Sequence, residues 1–285
     1  MSVQTDPNNF YVSHGMMTDP GEYSSLLVDL PGGISDLCEI VQNNLVHVFW
    51  AERYGITLSE DQKQTLNLRK LSEKLSLIHS TDPRPLINKR EIRSRQVGNC
   101  RDFSLLLTAL LRHEGVPARC RCGFGMYFLP EQNEDHWVVE YWKDDEHRWI
   151  MVDPQLDPFQ IKTLKIQFDP LNVPANQFIT GGKAWQMCRS GTAKPDQFGI
   201  FDMHGWWFIW GNVIRDFLAL NKIEILPWDG GWGFLTHELS DPLPNESELI
   251  KYDQIAELSS RPDDSFKQLR ELINIDPRFS LPNDF

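Results

Sequence analysis

No stretch of this chain approaches the ~20 consecutive apolar residues needed to cross a bilayer. Its first residues, MSVQTDPNNFYVSHGMM, lack both the basic segment and the apolar segment of a secretory signal. Basic residues are scarce, with 28 Lys and Arg against 40 Asp and Glu, for a net charge of −12. Residues 236–285 alone carry eleven acids and five bases. An acidic chain without a basic stripe has no electrostatic footprint for nucleic acid or for an anionic membrane, and neither is expected as a partner. Cysteine is sparse and odd in number, at five in 285 residues, which fits a reduced, cytoplasmic setting rather than a disulfide framework. There is no internal repeat, no low-complexity block, no D-x-D-x-D-G calcium loop and no phosphate-cradling glycine motif.

The residues that are present divide the chain by texture. Residues 1–20 are polar and rich in Asn, Asp and Pro, and are expected to be irregular or frayed. Between 34 and 55, Ile34, Leu37, Cys38, Ile40, Val41, Leu45, Val48 and Phe49 fall at helical spacing. Ser59 and Gln62 stand in capping-box register, opening a segment that reads as helix to about residue 79. Asn99 is a good N-cap with Asp102 three residues on, and Phe103, Leu106, Leu107, Leu110 and Leu111 form one stripe closed by Gly115. Then 118–129, 135–144 and 147–156 are short, rich in aromatic and β-branched residues, and separated by polar turns, so antiparallel strands are expected. A buried helix is expected within 202–226, and surface helix and loop over 240–285.

Cys100 falls in the first turn of the helix that Asn99 opens, beside backbone N–H groups without an intrahelical partner. Such a position favours the thiolate, and a neighbouring imidazolium favours it further, lowering the thiol pKa from ~8.5 by up to several units. Among the eight histidines, His136 begins a strand end, and Asp153 follows the apolar run of the next strand. A turn near 144–146 sets positions 136 and 153 almost opposite each other, so that Cys, His and Asp would form a nucleophile, a base and an orienting carboxylate. Taken singly, each has a plainer reading: a packed thiol, a surface imidazole, a turn-forming Asp before Pro.

Together, GNCRDFSLLLTALLRHEGVPAR, DHWVVEYW and WIMVDPQLD resemble the core of the transglutaminase-like cysteine-enzyme superfamily over residues 93–157. The resemblance implies an α+β fold with a papain/transglutaminase-like core, a nucleophile-bearing helix packed on an antiparallel sheet. It assigns Cys100 as nucleophile, His136 as general base and acid, and Asp153 as orienter. With the texture of the chain around that core, three parts are expected: an irregular N-terminus over 1–20, a transglutaminase-like catalytic domain with N-terminal helices over 21–240 (core 93–157), and an acidic C-terminal extension over 241–285. The flanks suggest a bacterial subgroup. The chain reads His136-Trp137-Val138 where members often read His-Ala-Trp, and no Trp lies between Trp50 and Trp137 to act as an upstream oxyanion donor. Gln96, Asn99 and the Cys100 backbone N–H are the nearby candidates, while Trp137, Trp206 and Trp207 could wall a substrate pocket, although aromatics at helical spacing are more often core.

The expected chemistry is acyl transfer through a thioester, from an amide in a small molecule, peptide or protein to water or to an amine, with no cofactor and no metal. Two other readings stay open. One is a non-catalytic binding module with the same fold and a Trp-rich pocket. The other is a zinc-dependent hydrolase with Cys100, His136 and Asp153 as ligands; Cys120-Arg-Cys122 is too closely spaced for a usual zinc pair and reads as packed. His204 is an alternative base, Arg101 a surface residue able to meet a substrate carboxylate, and Gly181-Gly182 and Gly230-Gly231 turn glycines.

Overall fold

The computed structural model describes residues 6–236, 245–283 and 285. The fold is α+β. The chain divides into two compact units, one built from 8–120 and 138–173, the other from 121–137 and 174–285 with Asp6 and Pro7.

In the first unit, α1 (Pro7–Tyr11) leads into a segment that is packed rather than frayed. Tyr11 and Met17 are fully buried, and Arg112 donates to the Tyr11 carbonyl (3.2 Å) and the Thr18 hydroxyl (2.9 Å). Polar composition concealed these two apolar anchors. Helix α2 (Ile34–Asn44) buries Leu37, Cys38 and Val41 along one stripe but ends well short of residue 55. The Asn44 amide donates to the Leu86 carbonyl (2.8 Å), and the chain extends as β1 (Leu45–His47), paired in parallel with β2 (Gln96–Gly98). Pairing with residues fifty positions away overrides the helical period there.

Ser59 and Gln62 do form a capping box, on the short α3 (Glu60–Gln64). The chain then leaves the helix, and α4 (Leu71–Thr81) starts afresh. Helix α5 (Cys100–His113) carries the expected stripe, and Gly115 takes the left-handed conformation at φ 75° that terminates it. Strands β3 (Ala118–Leu129) and β4 (Gln132–Lys143) are joined through Pro130-Glu131, and the unit division falls within both. β5 (Arg148–Val152) pairs antiparallel with β4, from Lys143–Arg148 to Val139–Val152. The short helix α6 (Pro158–Leu164) follows, capped by Asp157.

In the second unit, β6 (Phe178–Thr180) pairs antiparallel with β3, and β7 (Phe198–Ile200) pairs in parallel with β4 and antiparallel with β8 (Met203–His204). Helix α7 (Gly181–Arg189) begins at Gly181-Gly182, so these are first-turn helical residues rather than turn glycines. A Cβ on Gly181 would stand 2.4 Å from the Asn212 carbonyl oxygen, and one on Gly182 2.6 Å from that of Ala256. The missing side chains let α7 approach α8 (Trp206–Leu220) and α9 (Glu246–Ser260) closely. α10 (Phe266–Ile275) completes the unit. The C-terminal residues are not merely a surface layer: Tyr252, Ile255, Ala256, Leu269 and Phe279 join Trp185, Trp210 and Phe217 in the core. Phe266 is buried as well, while Ile250 and Ile275 stay exposed, a division that the acidic average of the segment conceals. Among the described residues, no helix is long and apolar enough to cross a membrane.

Candidate active site

Cys100 is the first residue of α5 and is only 8% exposed. The turn before it is fixed reciprocally. Asn99 Oδ1 accepts from the Asp102 backbone N–H (3.2 Å), and Asp102 Oδ2 accepts from the Asn99 backbone N–H (3.1 Å). Gly98 packs closely here: a Cβ at that position would lie 3.1 Å from Asp102 Cβ and 3.3 Å from its carboxylate, so Asp102 would have to shift by a few tenths of an ångström. Asp102 is fully enclosed, with Lys74 at 3.0 Å and Arg101 at 3.1 Å. Arg101 is therefore buried, not a surface residue: its guanidinium also donates to the Arg69 carbonyl (2.6 Å). Burial lowers the Lys74 pKa, and the nearby Asp102 carboxylate only partly restores it.

The cap leaves one group over. With Asn99 Oδ1 committed to the helix, its Nδ2 is a buried donor with no hydrogen-bond partner, one residue from the thiol. Gln96, the other amide candidate, is engaged: its Nε2 donates to the Thr65 hydroxyl (2.7 Å) and to the Val97 carbonyl (3.2 Å).

The five cysteines are buried and none is in a disulfide. They are not chemically equivalent. Burial, and then the Asp153 charge, hold the Cys38 thiol far above its ordinary range, and burial pushes Cys188 up to about 11. Cys120 and Cys122 are fully enclosed, Cys120 at 3.1 Å from the Thr108 hydroxyl. None of those four opens a helix.

Asp153 lies one residue beyond β5 and is buried. Its Oδ1 accepts from the Gln155 backbone N–H (3.0 Å), and its own N–H donates to the Pro170 carbonyl (2.9 Å). Continuing the β4–β5 register carries position 153 to position 138.

His136, Trp137, Trp206 and Trp207 belong to the second unit, whereas Cys100, Asn99, Gln96 and Asp153 belong to the first. The His136 ring is buried among aromatic edges, with Phe128 at 4.8 Å, Tyr127 at 5.9 Å and Phe178 at 6.4 Å between centroids. Neighbouring Asp135 is half-buried. Burial raises its pKa, while the Arg215 charge and a 2.7 Å bond from Asn212 Nδ2 act in the opposite sense. Trp137 is fully buried and its Nε1 has no hydrogen-bond partner. Trp206 packs edge-on against Trp185 at 5.2 Å, and Trp207 Nε1 donates to the His204 carbonyl (2.8 Å), so the tryptophan run is anchored in the core of its unit. Among the described residues, no three His, Cys, Asp or Glu side chains group as a metal-binding set.

A second feature, a small pocket in the first unit, was not foreseen from sequence. It is lined by His47, Tyr54, Arg95, Phe103, Gln155 and Gln160 among others. The segment that brings His47 to it, Leu45-Val46-His47, continues a helical apolar period in the sequence and so hides the strand that places it.

Cys100 at the head of α5, His136 on β4 and Asp153 just after β5 follow one another along the chain in that order. Residues 71–154 match the model of the transglutaminase-like superfamily core, a span that takes in Cys100, His136 and Asp153. Over those residues the chain is similar to the transglutaminase-like superfamily. None of the curated proteins matches it. A solved structure from Cytophaga hutchinsonii, provisionally assigned as a cysteine protease, is similar at 18% identity with a TM-score of 0.34. The similarity covers 60% of this chain and 45% of the other, so the chain spans less than half the length of that protein.

Proposed function

We propose that the protein is a cysteine-dependent acyl-transfer enzyme in which Cys100 is the nucleophile, His136 the general base and acid, and Asp153 the carboxylate that orients the imidazole. The observation that carries this reading is the place of Cys100 at the head of α5, inside the span matched by the family model. First-turn N–H groups favour a thiolate there. The thiolate attacks the carbonyl carbon of an amide, forming a C–S bond, and the carbonyl electron pair moves onto oxygen. The Cys100 backbone N–H and Asn99 Nδ2 are the donors nearest the nucleophile in sequence for that oxyanion, and preorganised donors of this kind are worth ~10²–10³ in rate each. His136 gives its proton to the departing amine as the C–N bond breaks, leaving a thioester. Water or a second amine, deprotonated by His136, then takes the acyl group and returns the thiol.

The test uses p-nitrophenyl acetate as an activated acyl donor. Intact mass should show one acetyl group on wild-type protein and none on Cys100→Ser, with p-nitrophenolate released in a stoichiometric burst. Decay of the acetyl-enzyme with and without added butylamine then separates an amine acceptor from water. A wild-type protein that never takes up the acetyl group would remove the enzyme reading and favour a binding module of the same fold.

A further inference from the structure

Cys100 and Asp153 lie in the same unit, each just past the end of a short strand. The two strands, β2 and β5, belong to different sheets, so no shared ladder sets the spacing of thiol and carboxylate. One run of chain touches the approach to both: residues 42–47, the last turn of α2 with β1. On the Cys100 side, Leu45, Val46 and His47 pair with Gln96, Val97 and Gly98. Arg95, the residue before β2, donates to the Gln42 carbonyl (2.7 Å) and to Asn43 Oδ1 (3.4 Å). On the Asp153 side, Gln42 Nε2 donates to the Pro154 carbonyl (3.1 Å) and to the Leu156 carbonyl (3.4 Å).

Residues 153–157 connect β5 to α6 and lie in neither helix nor strand. Within them, the peptide between Pro154 and Gln155 carries two bonds. Its N–H donates to Asp153 Oδ1 (3.0 Å), and its carbonyl is the one that accepts from Gln42. A peptide unit is planar and rigid, so a bond that fixes its oxygen also fixes the direction of its N–H. An amide that accepts at oxygen is also a stronger donor at nitrogen. Gln42 thus aims and strengthens the donor that holds the Asp153 carboxylate. Cys38, one turn earlier on α2, stands within the field of the same carboxylate, whose charge adds to burial in holding its thiol high.

We propose that Gln42 is a positioning residue for Asp153, fixing its carboxylate relative to the strand that leads into Cys100. This role rests on the assignment of Asp153 as the orienting carboxylate, and Gln42 acts only through it.

The test is the pH profile of Cys100 alkylation by iodoacetamide in the full-length chain, with peptide mapping. Wild type, Gln42→Met, Asp153→Ala and the double variant are compared. Methionine matches the length of glutamine and has no N–H to donate. Gln42→Met should move the Cys100 midpoint toward the ~8.5 of an ordinary thiol by at least half the shift that Asp153→Ala gives. The double variant should go no further than Asp153→Ala alone, because the two side chains act as one unit. Cys38 reports on α2 in the same digest and should stay unmodified at neutral pH, since a positioning role leaves the helix packed. Gln42→Ala, a good helix former at this half-buried site, should give the same shift and serves where Gln42→Met does not fold.

A wild-type midpoint in both Gln42 variants, with Asp153→Ala shifted, would overturn the role of Gln42 and leave that of Asp153 standing. Additive shifts in the double variant, labelling of Cys38 alongside Cys100, or loss of folding in both Gln42 variants would also overturn it and make Gln42 a structural residue. An Asp153→Ala protein with the wild-type midpoint would remove the orienting role of Asp153, and that of Gln42 with it.

Discussion

Asp102 and Asn99 hold each other by two hydrogen bonds of 3.1 and 3.2 Å, and the residue enclosed by that loop on one side is Cys100. The carboxylate that closes the cap is also the partner of the buried Lys74 and Arg101. The geometry of the nucleophile and the stability of the unit around it therefore rest on the same side chain.

Replacing Asp102 by Ala leaves two buried cations without their carboxylate. The expected loss is ~3–5 kcal/mol, the usual consequence of removing one partner of a buried pair. Urea denaturation measures it. A loss under ~1 kcal/mol, the size of a cap alone, would show that the buried pairing contributes nothing.

Asn99→Ser separates two roles. Serine caps a helix as well as asparagine does, so stability should change by no more than about 0.5 kcal/mol. It has no amide donor. Acetylation of Cys100 by p-nitrophenyl acetate should then slow by ~10²–10³ if Nδ2 stabilises the oxyanion. A wild-type acetylation rate would leave the backbone N–H as the donor that matters.

Asp135 gives a pH dependence with a definite sign. Burial raises its folded-state pKa above the ~3.9 of an unfolded chain, so the folded protein binds more protons across that interval. Its stabilising contribution is full below ~3.9 and is lost as pH rises through the raised value. Asp135→Asn keeps an acceptor for Asn212 and does not titrate. Its stability curve between about pH 4 and pH 8 should lack that decline and lie above wild type at the alkaline end. Parallel curves would show that Asp135 keeps an ordinary pKa.

Much of the core was legible because it depends on local signals. The Asn99–Asp102 cap, the Phe103 stripe and Gly115 are all set by side chains within one or two turns. The strands over 118–152 were legible for the same reason, being close-spaced and bounded by turn residues. What escaped was tertiary. Leu45-Val46-His47 continues an apolar helical period, yet becomes a strand because Gln96–Gly98 is there to pair with it. Arg101 reads as surface by type, and is buried because Asp102 and the Arg69 carbonyl satisfy it. The acidic C-terminal residues average to a surface composition while placing Tyr252 and Ile255 in a core. The bonds from Gln42 to the Pro154 and Leu156 carbonyls join distant parts of the chain and have no sequence signal.

The account stands on Cys100 being a nucleophile assisted by His136, and its alkylation by iodoacetamide as a function of pH tests that most directly. Peptide mapping of wild type and His136→Ala follows each thiol separately. The account predicts that Cys100 reacts well below the ~8.5 of an ordinary thiol and loses that advantage without His136. Cys38 and Cys188, held high by burial, should stay unmodified at neutral pH. A Cys100 that titrates near ~8.5 in both proteins, or is inert throughout, would contradict the catalytic reading.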